Sequence, residues 1–209
     1  VIPEQHQPLY AEKVVYLPDT CQPSGLRPVA ASTPSRAEAG LPETGFVFCC
    51  FNNSYKFAPD MFDIWMRLLK TVDGSVLWMS EPNAAAKSNL QREAEARGVR
   101  AERLIFARFL PAIDDHLARL KLANLFLDTL PYNAHTTASD ALKMGVPVLT
   151  TPGSTFAGRV AASLLHAAGL AELIVPSLSE YEALALKRAR EPEALDLLKE
   201  TARAKFDET

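Results

Sequence analysis

The sequence predicts an α/β fold, a doubly wound parallel sheet of the Rossmann-like kind. Short continuous apolar runs recur over residues 46–51, 75–79, 104–106, 124–128 and 147–150, with a weaker one near 173–175. Runs of that length without polar alternation belong to strands covered on both faces. Between them lie segments with helical spacing of apolar residues, and regular strand–helix alternation builds parallel sheets through crossover helices. The stretch 124–151 shows the unit whole: a strand ending in Asp128, a polar turn, a helix opening on Thr136 and closing at Gly145, and a second strand.

The helix predicted over 59–70 puts Phe62, Met66 and Leu69 on one stripe with Trp65 beside it. The segment 82–98 is polar, Ala-rich and stops at Gly98; 113–121 buries Leu117 and Leu120; 156–169 is rich in Ala and Leu and stops at Gly169. Helices over 179–190 and 192–205 follow, with Ser179 expected as N-cap and Glu182 at the capping-box position.

Residues 1–45 have a different texture. Seven of the fifteen prolines, Pro23 among them, fall here, which rules out a long helix. The one apolar run, Val14-Val15-Tyr16-Leu17, predicts a short strand in an otherwise extended connector, and residues 46–209 form the lobe. A domain seldom begins with some forty irregular residues, so the connector is expected to lie on a partner structure upstream.

Bulk properties narrow the function. A net charge of −3 and a pI near 5.9 disfavour a nucleic-acid surface, which needs a dense basic face. No apolar run approaches a membrane span and no signal peptide is evident. Cys21, Cys49 and Cys50 are odd in number, and two are adjacent on an apolar run, so they read as small hydrophobes in a reducing cytoplasm.

Ligands of doubly wound sheets bind at the carboxyl ends of the strands. The first strand is followed by Asn52-Asn53-Ser54-Tyr55-Lys56, with no G-x-G-x-x-G and no P-loop. Lys56 is placed to aim an ammonium into the crevice, although an isolated lysine is ordinarily a solvated one. Across the crevice lie His135, Thr136 and Thr137 at a helix start, where free amides and the dipole favour an anion. Their alternative is plain capping. Asp140, one turn on, either complements the dipole or accepts from a ribose hydroxyl. His116, in a helix after the third strand, is an exposed helix residue or a ring for stacking a base. No D-x-D follows a strand, Asp114 and Asp115 are adjacent and diverge, and no His/Cys ligand spacing occurs, so no metal is expected.

At these residues the chain resembles a known family. F-N-N-S-Y-K at 51–56, S-V-L-W at 75–78, L-D-T at 127–129, N-A-H-T-T-A-S-D at 133–140 and R-V-A-A-S at 159–163 resemble the C-terminal catalytic half of the O-linked N-acetylglucosamine (O-GlcNAc) transferases. The likeness runs in order from about residue 10 to 185, and the Ala-, Leu- and Arg-rich style is similar to a bacterial homologue. The resemblance implies the second lobe of a GT-B glycosyltransferase, with an upstream lobe and tetratricopeptide repeats elsewhere. It implies Lys56 at the diphosphate as the residue most tied to catalysis. It further implies Asn53, His135, Thr136 and Thr137 at the phosphates and sugar, Asp140 at the ribose, and His116 on the uracil. The backbone near Leu110 would read the base edge. The implied reaction is inverting, metal-independent transfer of N-acetylglucosamine from UDP-GlcNAc to protein Ser/Thr hydroxyls. Two other readings stay open: another UDP-sugar enzyme of the same architecture, such as an epimerase or a different GT-B transferase, and a non-catalytic nucleotide-sugar-binding lobe.

Overall fold

The computed structural model describes residues 1–22 and 27–207, the last three of these as backbone. Pro23 and the end of the chain after residue 207 lie outside the described residues. Five strands form one sheet: β1 (Val47–Cys50), β2 (Val76–Ser80), β3 (Leu104–Ala107), β4 (Leu125–Leu127) and β5 (Val148–Leu149). Their order is β3-β2-β1-β4-β5 and every pairing is parallel. Among the described residues seven α-helices accompany them: α1 (Pro59–Thr71), α2 (Ala84–Ala96), α3 (Ile113–Leu120), α4 (Thr136–Lys143), α5 (Val160–Ala167), α6 (Leu178–Arg190) and α7 (Pro192–Asp207).

Strand alternation sorts the core onto two faces. Val47 and Cys49 of β1 pack with side chains of α3, α4, α5 and α7, whereas Phe48 and Cys50 pack with those of α1, α2 and α6. The two buried cysteines therefore point to opposite faces, and both thiols are free. Burial pushes both thiols well up from their ordinary range. Helix α1 buries Met61, Phe62, Ile64, Trp65, Met66, Leu68 and Leu69. Each such side chain contributes roughly 1.5–3 kcal/mol on burial, so docking to the sheet holds this helix more than propensity does.

The chain steps outward from β1 to β2 and β3, then returns to the other side of β1 for β4 and β5. At that reversal the loops after β1 and β4 leave towards opposite faces, and a crevice opens between them.

Several expectations are corrected. Residues 14–17 form no strand; Val15 is 73% exposed and no sheet edge pairs with the run. The sixth strand is reduced to a bridge between Thr150 and Ile174, directly after a 3₁₀ turn over Ala171–Leu173 that takes the first residue of the run. The N-cap of α6 is Ser177, which accepts from the Glu180 amide, and not Ser179. Glu182 is drawn instead to Arg67 of α1. The helix expected over 156–169 starts only at Val160. Among the described residues no helix is long and apolar enough to cross a membrane.

Candidate functional site

The site is built on Asp128, which follows β4 and is 1% exposed. Its Oδ1 accepts from the Thr129 amide at 2.8 Å and the Ala134 amide at 2.6 Å, and its Oδ2 accepts from the Thr150 hydroxyl at 2.6 Å. One carboxylate thus folds the 129–134 turn over the strand end and ties it to the chain leaving β5. Inside the turn, Thr129 Oγ1 donates to the Tyr132 carbonyl at 2.6 Å and Asn133 Nδ2 donates to the Thr129 carbonyl at 2.8 Å. The loop after β5 packs on it: Gly158 lies against the Pro131 carbonyl with no space for a Cβ, and Ala157 O accepts from the Asn133 amide at 3.0 Å. Burial pushes the Asp128 carboxyl up to about 7, against its three donors and the Lys56 ammonium, which hold it down.

The turn delivers α4 with its amino end towards the crevice. The Ala138 and Ser139 amides already bond the His135 carbonyl at 3.1 Å each, and the Thr136 and Thr137 amides precede them at the open helix end. His135 occupies the N-cap position without a side-chain cap bond; its Nε2 lies 3.3 Å from the Ala157 carbonyl. Neither threonine is therefore the N-cap. Thr137 Oγ1 donates to Asn52 Oδ1 at 2.7 Å, and Thr136 stands exposed. At the far end, Gly145 takes a φ of +72° and the Gly145 and Val146 amides bond the Leu142 and Ala141 carbonyls at 2.9 and 2.8 Å. That Schellman closure stops α4 and turns the chain into β5.

From the β1 side, Lys56 ends a single 3₁₀ turn. Its Nζ donates to the Asn133 carbonyl at 3.0 Å and lies 3.8 Å from the centre of the Tyr132 ring. Burial lowers the pKa of this half-buried ammonium, and the Asp128 carboxylate opposes the shift. Asn52 spans the crevice beneath: its Nδ2 donates to Thr129 Oγ1 at 2.7 Å while its Oδ1 holds Thr137. Asn53, Lys56, His135, Thr136 and Thr137 line one open cavity of about 250 Å3, with Asn52 and Tyr132 in its wall. Burial, the foremost cause, lowers the His135 pKa, and the hydrogen bond to the Ala157 carbonyl opposes it. An ammonium facing open amides, with no carboxylate in the lining among the described residues, suits an anion of phosphate size. Among the described residues no three His, Cys, Asp or Glu side chains group as a metal site.

The other predicted residues lie outside that cavity. His116 packs edge-on against Phe51 at 5.7 Å, and its Nδ1 accepts from Arg119 Nη2 at 2.7 Å. That bond leaves the proton of the neutral ring on Nε2. Burial, then the charges of Arg119 and Arg27, depress the His116 pKa to about 4. Leu110 lines a separate cavity of about 640 Å3 with Trp78, Arg108 and Arg119. Asp140 is paired with Arg27 of the connector at 2.9 Å.

A match to the family model described as glycosyl transferase family 41 spans residues 24–208. The chain belongs to that family. A probable UDP-N-acetylglucosamine–peptide N-acetylglucosaminyltransferase of Arabidopsis thaliana, SEC, is 37% identical over 98% of this chain, which spans 22% of that protein. The solved structure of a Thermobaculum terrenum O-GlcNAc transferase mutant matches 99% of the chain and 39% of its own length, at 33% identity and a TM-score of 0.84. The glycosyltransferase WaaG, at 18% identity and a TM-score of 0.63 over 84% of this chain and 46% of its own, shares the fold. This family 41 chain thus has the doubly wound, GT-B-type lobe its sequence predicts, and its likeness to the O-GlcNAc transferases is borne out. It spans about a fifth of the curated relative's length.

Several structural partners in the site escaped the sequence reading: Asn52, Asp128, Thr129, Arg119 and Arg27. Only Asp128 carried a signal, as a carboxylate at the buried end of an apolar run.

The depressed His116 pKa predicts a pH effect. An unfolded chain binds a proton at the ordinary 6.5 and the folded one only near 4. His116 therefore contributes stability that is fully present above pH 6.5 and lost as pH falls towards 4. Relative to His116→Gln, the wild type should lose on the order of 1–2 kcal/mol between pH 7.5 and 5, allowing for solvent screening of a half-buried ring. Denaturant titrations of both proteins at the two pH values check this, and parallel pH profiles would contradict it.

Proposed function

We propose that this chain is the donor-binding lobe of an enzyme that transfers N-acetylglucosamine from UDP-GlcNAc to protein Ser/Thr hydroxyls, with inversion and without metal. The observation that carries the reading is Lys56 facing the open end of α4 in one cavity at the switch point. As the bond from the sugar to the diphosphate breaks, negative charge grows on the departing phosphate oxygen. The ammonium and the Thr136 and Thr137 amides are fixed where that charge develops, and preorganised donors of this kind reduce barriers by about 3 kcal/mol each. The acceptor hydroxyl attacks from the opposite face of the sugar and passes its proton to a base outside this chain. Asn53 and His135 flank the phosphates, Asp140 accepts from the ribose, His116 stacks on the uracil, and the Leu110 backbone reads its edge.

The upstream lobe, with tetratricopeptide repeats before it, supplies the acceptor side in a cytoplasmic protein. Exposed apolar side chains in the loops and first helical turns of the ligand edge support a covering partner there: Tyr55, Phe109, Ile113, Tyr132 and Phe156. The relatives' printed activity supports the donor and acceptor classes. The test is mass spectrometry of acceptor peptides incubated with UDP-GlcNAc and the full-length protein, with and without excess EDTA. A peptide gain of one N-acetylhexosamine, equal in both arms, is expected. Loss in EDTA restored by Mg²⁺ would refute the metal-free step. Conversion of UDP-GlcNAc to an epimer would favour an epimerase, and binding without turnover a non-catalytic lobe.

A further inference from the structure

The connector does not merely pass by the crevice. Gln22 Nε2 reaches Thr136 Oγ1 at 3.4 Å, beside the open end of α4. Arg27 Nη1 lies 2.9 Å from Asp140 Oδ1 and 3.2 Å from Oδ2, on the next turn of the same helix. The Arg27 carbonyl accepts from Lys143 Nζ at 2.9 Å, and the Ala30 amide donates to the Asp114 carbonyl of α3 at 3.3 Å. Val29, between these anchors, packs against the core of that face. Residues 27–30 are thus fixed to both α3 and α4, the helices that bear His116 and Asp140. The Arg27 charge is felt by both of those side chains.

Two roles are conceivable for a segment lying there: a strap that donor must displace, or a wall that donor binds against. The Asp140 side chain is only 9% exposed. Lifting the strap would strand a buried carboxylate without its cation, which is strongly unfavourable. The main-chain anchors to Lys143 and Asp114 would break as well. A single guanidinium nitrogen serves Asp140, and an arginine has further N–H donors to offer.

We propose that residues 27–30 form a fixed wall of the nucleoside half of the donor site, with Arg27 the positioning residue that holds Asp140 in its ribose-accepting orientation. This rests on the UDP-sugar reading of the cavity. The segment belongs to the connector and not to the sheet, so the donor pocket is completed by chain that precedes the lobe.

Calorimetric titration of uridine and of UDP against the full-length wild type, Arg27→Ala and Arg27→Lys tests this. Loss of one charge-assisted contact to Asp140 should weaken both ligands by the same factor, about tenfold in Arg27→Ala, with partial recovery in Arg27→Lys. The acid limit of UDP binding should also move to higher pH in Arg27→Ala. Burial already raises the Asp140 pKa, Arg27 restrains it, and Lys143 alone would remain to do so. Tighter UDP binding by Arg27→Ala would overturn the wall in favour of a displaceable strap. Unchanged affinities with only a lower melting temperature would reduce Arg27 to a structural residue. If Arg27→Ala does not fold, full affinity for both ligands in Arg27→Gln would equally overturn the proposal. A wild type that binds neither ligand would instead overturn the donor-site reading, and this proposal with it.

Discussion

Lys56→Ala in the full-length protein should lower kcat by about 10²–10³-fold and kcat/KM by a similar factor. Among the described residues Lys56 brings the one cationic side chain into the cavity lining, opposite the amides of α4. If no metal shares the diphosphate, its ammonium carries much of the charge that develops as the phosphate departs. A group that acts mainly on that charge changes the transition state more than the bound donor. The fold should tolerate the change, because the half-buried Lys56 side chain gives up one hydrogen bond among the described residues, to the Asn133 carbonyl. That carbonyl and the Tyr132 ring now hold the ammonium, so it is parked at the cavity edge and prepositioned for an anion. Steady-state kinetics with melting curves decide the point. A raised KM with unchanged kcat would make Lys56 a ground-state phosphate contact only.

Asp128→Ala should have the largest effect on stability, about 3–5 kcal/mol. The mutation strands the Thr129 and Ala134 amides and the Thr150 hydroxyl, three buried donors that the carboxylate now satisfies. Each unsatisfied buried group costs about 1–3 kcal/mol, though not additively. For a lobe of this size the loss corresponds to a melting temperature lower by roughly 10–15 °C. Asp128→Asn keeps one acceptor oxygen for the two amides and should cost about a third as much. Because the Ala134 amide immediately precedes His135, the alanine variant should also loosen the open end of α4 and weaken UDP. Thermal melts of both variants check the order. A drop below about 3 °C for Asp128→Ala would show that the turn is held by its other bonds.

The sheet was legible because strands covered on both faces cannot alternate polar and apolar residues, and β1, β2 and β4 do not. The place of the candidate site was legible too, since Lys56 and the His135–Thr137 turn sit where two loops must diverge at a switch point, and they line one cavity. What could not be read depended on tertiary context. Ser177 and Ser179 flank Leu178, each has a Glu three residues on, and local sequence does not decide which one caps α6; Ser177 does, while Glu182 pairs with Arg67 of α1. The apolar run at residues 14–17 has the composition of a strand but meets no sheet edge. Asn52 and Asn53 are indistinguishable by type, yet Asn52 is 2% exposed and bridges two loops while Asn53 is exposed. Arg27 and Asp140 are 113 residues apart, and nothing local announces their pairing.

Donor binding as proposed requires a diphosphate at the open end of α4. The structure separates its two threonines: the Thr137 hydroxyl is committed to Asn52 at 2.7 Å, whereas exposed Thr136 lines the cavity and its hydroxyl accepts only a long bond of 3.4 Å from Gln22. Thr136→Val should therefore remove a ligand contact with little structural cost, and titration of UDP and uridine against wild type and Thr136→Val is the direct measurement. UDP should bind the wild type more tightly than uridine, by about 1.5–3 kcal/mol for each charge-assisted bond formed. The variant should lose part of that margin while its affinity for uridine stays level. Equal affinity of the wild type for UDP and uridine, or a margin that Thr136→Val leaves untouched, would contradict a diphosphate at this helix.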